Sequence, residues 1–320
     1  MNEHLKNIEI KDFKCFKDFK ADGFKRVNLI GGKNNVGKTA FMEGCCINVY
    51  SQSVAHFRAV LIHTKVAREK INLLFHETVI DDNKLLESFS NIFIKSNINS
   101  VSFNAKDNGI ENIYTFELNN ETFKINANLL SKNTKPMDNI RFIDNFGFSN
   151  KEISKNYDAI KKRKKENLLN DILKEFDSRI NSFTVMSNNM PKCEINDFFY
   201  EITDFGDGLK HLISIVTALF RCENGYLFID EIDNGIHYTQ LDRLWEIILK
   251  TSKEQNVQVF ATTHSKECIE SYARVAKKLE DEDICYIKMT RLEDGSIKAG
   301  VRDYKLLENS MEQNHEVRGW

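Results

Sequence analysis

The feature that most constrains how this chain can fold is a glycine-rich segment near the N-terminus, GKNNVGKT at residues 32–39. It fits the phosphate-binding pattern G-x-x-x-x-G-K-[ST] without a mismatch. Glycines in such a loop let several backbone N–H groups point toward one phosphate group, and the helix that follows adds the partial positive charge of its N-terminus. The apolar segment at residues 27–30 therefore predicts a strand–loop–helix unit around this loop.

Two residues of this pattern have expected roles in binding a nucleoside triphosphate and its metal ion. Lys38 would reach the β- and γ-phosphates of a nucleoside triphosphate, and the Thr39 hydroxyl would ligate Mg²⁺. The alternative is a chance match in a glycine-rich turn, which the preceding apolar strand disfavours. The residues expected to contact the nucleotide are Gly32, Asn34, Asn35, Val36, Gly37, Lys38, Thr39 and Ala40.

An apolar run that ends in two carboxylates follows much later, YLFIDE at residues 226–231. A buried strand of this kind would bring Asp230 to the magnesium shell at the carboxyl edge of a sheet. Glu231 would then accept a proton from the attacking water. A strand followed by a solvated acidic turn is the alternative, and the phosphate loop upstream favours the catalytic interpretation.

A second apolar strand, VQVFATTH at residues 257–264, ends in a histidine. We predict that His264 senses the γ-phosphate by hydrogen bonding and stabilises the transition state. A capping histidine is the alternative, but His264 lies on the strand predicted next after Asp230.

The segment DFGDGLK at residues 204–210 lies just upstream of Asp230 and opens a predicted helix. Glycines at a helix start can form an anion-binding nest, so Gly206, Asp207 and Gly208 are candidate nucleotide contacts. A plain helix N-cap with a flexible lead is the alternative.

Hydrophobic periodicity divides the 320 residues into a discontinuous core and an inserted lobe. We expect residues 1–51 and 199–320 to form the core, because strands that are apolar without alternation are typical of a parallel sheet. Residues 52–198 would form the insertion. In it, residues 54–96 and 151–178 have helical spacing, and residues 101–127 alternate as a three-strand meander does.

Composition excludes several other classes of protein. A net charge of −2 gives no global field for nucleic acid, and no apolar run has the roughly 20 residues of a membrane helix. Seven cysteines without a CxxC pair disfavour disulfide and zinc sites, so a cytoplasmic location is expected. The basic run at residues 161–165 could contact nucleic acid, although a solvated helix face is the favoured interpretation.

Together with an N-terminal Phe-Lys segment (DFKCF, residues 12–16), these motifs resemble the ABC-type ATPases of the SMC, RecF and OLD group. The resemblance covers residues 3–50 and 200–270 and is nearest to stand-alone bacterial "AAA family" ATP-binding proteins. It implies an α/β fold: an ABC-type P-loop NTPase head with a mainly parallel sheet, an antiparallel β-lobe and a helical and β insertion.

The resemblance also implies a function. ATP and Mg²⁺ would be the cofactors, with Thr39 and Asp230 on the metal and with Glu231, His264 and Lys38 as catalytic residues. In this family ATP lies between two heads, so residues 204–210 would act in trans in a homodimer or higher homo-oligomer. In the family's signature loop a serine occupies the position of Gly206, so the GDG form departs from the common pattern.

Three hypotheses describe the biological role of the protein. Hydrolysis could switch a separate protein effector, such as an anti-phage defence nuclease, or the ATP-bound dimer could clamp DNA as RecF-like repair ATPases do. A third hypothesis is an ATP-gated scaffold that does not hydrolyse ATP. Only about 50 residues follow His264, too few for the nuclease domain of full OLD proteins.

Overall fold

The computed structural model describes residues 3–73, 85–86, 89, 91–107, 112–126 and 135–312. Its strands are β1 (Asn7–Phe13), β2 (Phe16–Asp22), β3 (Val27–Gly31), β4 (Asn91–Ser96), β5 (Ser100–Asp107), β6 (Asn112–Leu118), β7 (Glu121–Asn126), β8 (Ile140–Ile143), β9 (Ser182–Met186), β10 (Met190–Ile195), β11 (Phe198–Glu201), β12 (Tyr226–Ile229), β13 (Gln258–Thr262), β14 (Ile284–Arg291) and β15 (Ile297–Asp303). Its helices are α1 (Lys38–Tyr50), α2 (Val54–Leu73), α3 (Asn150–Lys162), α4 (Glu166–Phe176), α5 (Asp207–Arg221), α6 (Leu241–Glu254), α7 (Lys266–Leu279) and α8 (Tyr304–Glu312).

The central sheet has the strand order β15-β14-β3-β13-β12-β8. Every pairing in it is parallel except that of β14 with β15. All residues of β3, β12 and β13 are buried, as expected for strands covered on both faces. Because these three strands are parallel, the segments that follow them, which carry the predicted site residues, emerge at one edge.

A second, antiparallel sheet has the order β2-β1-β4-β5-β6-β7. Helix α1 contacts strands of both sheets, so the helix that follows the phosphate loop lies between them. Eleven of its 13 residues are buried, since it is packed on nearly all sides. Phe41 illustrates this packing, with its ring edge-on to those of Phe19 and Phe24. The start of α1 is therefore held rigidly.

Helices α3 to α8 form one hydrophobic cluster with the other face of the central sheet. Helix α5 is central to it and contacts α3, α4 and α6. The twelve residues of α5 that are buried include the fully buried Val216 and Phe220. A small antiparallel sheet, β11-β10-β9, lies beside this layer and leads directly into α5.

The fold class expected from the sequence is confirmed: the mainly parallel sheet, the antiparallel lobe and the mixed insertion are all present. The meander at 101–127 is confirmed as β5, β6 and β7 where the structure describes it. Residues 127 and 108–111 of that expectation lie outside the described residues.

The prediction of helical structure over residues 54–96 is wrong at its C-terminal end. Residues 54–73 are helical as expected, whereas residues 91–96 form β4. Strand β4 pairs with β1, with Ile10 opposite Ile94, so tertiary pairing overrides the short helical periodicity. Residues 74–84, 87–88 and 90 lie outside the described residues.

The helical stretch predicted at 151–178 is two helices. Lys164 has φ 54°, which no helix accommodates, and it separates α3 from α4. The basic run occupies this junction, where Arg163 pairs with Glu223 and Lys161 lies over the Tyr157 ring.

The division into a core and an inserted lobe stays a prediction. Strand β8, which lies within residues 52–198, nevertheless belongs to the central sheet and pairs in parallel with β12. None of the helices in the described part of the chain is long and apolar enough to cross a bilayer.

Candidate nucleotide site

The loop between β3 and α1 has a backbone that only certain residues tolerate. Gly32 and Gly37 have φ values of 148° and 88°. A Cβ on Gly32 would lie 2.5 Å from the Met289 carbonyl oxygen, and one on Gly37 would lie 2.6 Å from the Cys15 sulfur. Dihedral angle and crowding therefore both require glycine at these positions.

Lys38, the first residue of α1, is folded back over this loop. Its side chain is buried, and its ammonium group donates to the carbonyl oxygens of Gly32 and Lys33, each at 2.9 Å. Burial lowers the pKa of Lys38 to about 8, although Asp230 and Glu231 oppose the shift. The ammonium group is therefore held at the loop by these two carbonyl oxygens.

Asp230 follows β12 directly and meets the start of α1. The Thr39 hydroxyl donates to Asp230 Oδ1 at 3.1 Å, and the Thr262 hydroxyl donates to the same oxygen at 2.7 Å. The backbone N–H of Asp230 donates to the Ile143 carbonyl at 2.8 Å. The hydroxyl of Thr39 and the carboxylate of Asp230 thus lie side by side.

Glu231 has φ 52°, a left-handed conformation that is rare for glutamate. Its backbone N–H donates to the Thr262 hydroxyl at 2.8 Å, which holds the turn after β12 against the end of β13. The half-exposed carboxylate lies 3.9 Å from His264 Nε2. The backbone therefore turns this carboxylate toward the histidine.

His264 lies between Lys38 and Glu231, with its Nδ1 atom 3.2 Å from Lys38 Nζ. Burial and the nearby lysine lower the pKa of His264, which favours the neutral ring. Because the Lys38 ammonium can only donate, Nδ1 is the acceptor and the ring proton is assigned to Nε2. The Nε2–H group then faces the cavity side occupied by Glu231.

A second network holds the backbone on both sides of His264. The Thr263 hydroxyl donates to Asp233 Oδ1 at 2.8 Å, and the Ser265 N–H donates to the Thr263 hydroxyl at 3.0 Å. Burial raises the pKa of Asp233, although the Thr263 hydrogen bond opposes that shift. The turn after Glu231 is thereby tied to the turn after β13.

These side chains surround an open cavity of about 550 Å³. Its lining residues are Asn34, Asn35, Gly37, Lys38, Thr39, Ala40, Glu231 and His264. Gly32 and Val36 are buried in the same loop behind this lining. Of the predicted residues, the phosphate loop, Glu231 and His264 are therefore brought together, with Asp230 bonded to Thr39 beside them.

The donors at this site suit a magnesium ion. Mg²⁺ prefers oxygen ligands and is commonly held by one or two protein groups plus phosphates and waters. The Thr39 hydroxyl and the Asp230 carboxylate provide two such oxygens. Over the described ranges no cluster of three His, Cys, Asp or Glu residues could hold a metal ion. Phosphate oxygens and waters would complete the shell of an ion held by Thr39 and Asp230.

The glycine loop before α5 lies outside this cavity. Gly206 has φ 85°, and a Cβ built on it would meet nothing within 4 Å. Helix α5 begins at Asp207, and no side chain caps its first N–H groups. A Cβ on Gly208 would lie 2.1 Å from the carbonyl oxygen of Gly235. The loop is therefore fixed to the turn after Glu231 but exposed on its outer side.

Sequence reasoning did not assign roles to Thr262, Thr263 and Asp233. Thr262 contacts both acidic residues that follow β12, through the Asp230 side chain and the Glu231 N–H. The available signal was a pair of threonines at the end of a mostly apolar strand, where buried hydroxyls need partners.

Comparisons with known proteins identify the family to which the chain belongs. The sequence profile of a family described as "AAA domain, putative AbiEii toxin, Type IV TA system" matches residues 27–270. An "ATP/GTP phosphatase" of Helicobacter pylori is 26% identical over 333 residues, covering 86% of this chain and 89% of that protein. An uncharacterised protein of Methanocaldococcus jannaschii is 37% identical over 73 residues, covering 23% of this chain and 64% of that protein.

Solved structures of SMC heads have a similar fold. An SMC head bound to the C-terminal winged-helix domain of ScpA aligns with a TM-score of 0.55 at 13% identity, covering 95% of this chain and 99% of that one. An SMC head with an extended coiled coil, bound to the C-terminal domain of ScpA derived from Pyrococcus furiosus, aligns with a TM-score of 0.51 at 12% identity, covering 97% of this chain and 99% of that one. The chain therefore belongs to this AAA-domain family, and its fold is that of an ABC-type P-loop ATPase head.

Proposed function

We propose that this protein binds Mg-ATP in the cavity beside the phosphate loop and hydrolyses it to ADP and phosphate. The observation that carries the proposal is the convergence of Lys38, Glu231 and His264 on one cavity, although they come from three different strand ends. The family match and the name of the Helicobacter pylori relative support the same chemistry.

Each of these residues has a part in the reaction. Lys38 exchanges its two carbonyl partners for oxygens of the β- and γ-phosphates. Thr39 and Asp230 would hold Mg²⁺, which would supply positive charge to the terminal phosphates. Glu231 accepts a proton from the attacking water as general base. His264 donates from Nε2 to the γ-phosphate or to that water and so stabilises the transition state.

The glycine loop at residues 206–208 completes the site of another protomer. It does not line the cavity of its own chain, yet it presents exposed backbone and the uncapped N-terminus of a 15-residue helix. Such a helix end binds anions well. ATP would therefore join two copies, with the phosphate loop of one copy facing Gly206, Asp207 and Gly208 of the other.

Dimerisation and its reversal by hydrolysis would switch a partner protein. The matched family is described in terms of a toxin–antitoxin system, and an SMC head of similar fold is bound to a separate protein, ScpA. Both support an effector as the recipient of the ATP cycle. A defence nuclease is one such effector.

The variant Glu231→Gln tests the proposed hydrolysis. It keeps the shape of the side chain but removes the base, so turnover should fall by about 10²–10⁴-fold while Mg-ATP binding remains. Glu254→Gln, at the exposed end of α6, is the matched control and should leave turnover unchanged. Equal turnover by Glu231→Gln and the wild type would show that Glu231 is not the base.

A further inference from the structure

Helix α5 contains a buried histidine to which the proposed reaction gives no part. His211 is 3% exposed, and within the described residues neither of its ring nitrogens has a hydrogen-bond partner. The other buried polar side chains of α5 do have partners. The Ser214 hydroxyl donates to the Lys210 carbonyl at 2.8 Å, and the Thr217 hydroxyl donates to the Ile213 carbonyl at 2.8 Å. Since a buried polar group without a partner is destabilising, the retention of His211 needs a reason.

The turn that follows β8 packs against this part of α5. Gly147 in the turn has φ 72°, and a Cβ on it would lie 3.8 Å from His211 Nδ1 and 3.1 Å from the Ser214 hydroxyl oxygen. The backbone N–H of Phe148 donates to the same hydroxyl at 3.0 Å. The backbone after β8 is therefore fixed beside the His211 ring.

The turn after Glu231 lies against the same end of the helix. The Asn234 side chain donates to the Asn145 carbonyl at 2.6 Å, which joins this turn to the turn after β8. A Cβ on Gly235 would lie 2.8 Å from the backbone nitrogen of Gly208, in the first turn of α5. Three segments thus meet around His211: the start of α5, the turn after β8 and the turn that begins at Glu231.

The backbone of Ile232, the residue after Glu231, acts on the His211 ring. Burial lowers the pKa of His211 to about 4, and the Ile232 backbone opposes that shift. A backbone group that favours the protonated ring is an acceptor, which identifies the Ile232 carbonyl. The neutral ring has one N–H group that can donate to it. Ring and carbonyl therefore interact, although they form no hydrogen bond in this structure.

A hydrogen bond to the Ile232 carbonyl would hold the peptide next to the proposed base. Glu231 has φ 52°, and such a backbone persists only where the surrounding contacts hold it. The Glu231 N–H donates to the Thr262 hydroxyl at 2.8 Å, and the Ile232 N–H donates to the Thr262 carbonyl at 2.9 Å. Both of these contacts come from β13, and His211 would add one from α5.

We propose that His211 is a positioning residue for ATP hydrolysis: when Mg-ATP is bound, its ring N–H donates to the Ile232 carbonyl and holds Glu231 toward the attacking water. This inference rests on the proposed function, in which Glu231 is the general base. His211 does not line the nucleotide cavity, so it acts through Glu231 and not on the nucleotide. The contact also connects the helix that follows the glycine loop to the turn that carries the base.

Steady-state ATPase assays and chemical denaturation of His211→Leu in the full chain test the proposal. Leucine fills a similar volume without ring nitrogens, so kcat should fall about tenfold with little change in KM. The midpoint of denaturation should stay the same or rise, because the nucleotide-free protein loses no hydrogen bond. A variant with the wild-type kcat would overturn the proposal, whatever its stability.

Two conservative variants separate positioning from packing. The amide N–H groups of His211→Asn and His211→Gln lie near the places of Nδ1 and Nε2, so one of the two should recover most of kcat. Failure of both would show that the donor is not what matters and would overturn the proposal. His56→Leu is the matched control, because His56 lies on α2 and does not line the cavity. It should keep the wild-type kcat.

NMR of the Glu231→Gln protein, labelled with ¹⁵N in its histidines, examines the contact without hydrolysis. Mg-ATP should move the His211 ring N–H proton downfield, and His211→Leu identifies that resonance by its loss. A resonance that Mg-ATP leaves unchanged would overturn the His211 contact while leaving the proposed hydrolysis intact. Absence of turnover by the wild-type protein would instead overturn hydrolysis, and with it the positioning role, even if the contact formed.

Discussion

Replacing Thr262 by valine removes a single hydroxyl from the buried end of β13 and changes the shape of the side chain little. In the wild-type protein that hydroxyl donates to Asp230 Oδ1 at 2.7 Å and accepts the Glu231 N–H at 2.8 Å. Thr262 is 1% exposed, so water cannot easily take its place. The substitution therefore releases both acidic residues from the same anchor.

The expected magnitudes follow from these two hydrogen bonds. A hydrogen bond to a charged group contributes about 1.5–3 kcal/mol, and an unsatisfied buried N–H costs about 1–3 kcal/mol. Since Asp230 keeps its bond to Thr39, the loss should lie toward the low end of these ranges, and we expect the free energy of unfolding to fall by about 2–3 kcal/mol. Displacement of Glu231 by even 1 Å should lower kcat by about 10–100-fold.

Chemical denaturation and steady-state ATPase assays measure these two effects separately. Thr262→Ser keeps the hydroxyl and should keep kcat near the wild-type value. Thr217→Val is the control for loss of a buried hydroxyl elsewhere, because the Thr217 hydroxyl donates only within α5. If Thr262→Val lost stability but kept the wild-type kcat, the hydroxyl would not set the position of Glu231 for catalysis.

Two further predictions concern the groups around His264. Because burial lowers the pKa of Lys38 to about 8 and binding needs the charged form, the dissociation constant of Mg-ATP should be flat below pH 8 and rise up to about tenfold per pH unit above it. Titration calorimetry at several pH values measures this, and the rise should vanish in Lys38→Arg; a flat profile for the wild type would contradict it. Asp233→Ala leaves the Thr263 hydroxyl without its acceptor, so kcat should fall about tenfold with little change in KM, a loss of ~1.4 kcal/mol. Asp233→Asn keeps an acceptor and should retain most activity, and equal losses in both variants would refute this reasoning.

Much of the site could be predicted because its chemistry is local in the sequence. The phosphate loop needs only eight consecutive residues to define both its backbone and its first ligands. Asp230 and His264 could be added because each ends a buried apolar strand, and parallel strands bring their carboxyl ends to one edge. The register of β12 and β13, with Ile229 opposite Ala261, produces this proximity.

Other contacts depend on pairings between distant segments, which periodicity does not encode. Strand β4 pairs with β1 across about 80 residues of sequence, and its six residues are too few to separate strand from helix by pattern alone. The Thr262 hydroxyl could not be assigned to Asp230 before the register of their strands was known. The link between Asp233 and Thr263 has the same origin.

Strand β8 affects how a protein of this architecture can diversify. Because residues 140–143 return to the sheet beside β12, the long stretch between α1 and α5 is two separate excursions, one before and one after this strand. Each excursion begins and ends near the scaffold, so lengthening either one costs little closure entropy. Exchanging the whole stretch for that of a related head would also replace β8, the edge strand of the central sheet. Exchanging one excursion at a time would leave β8 in place.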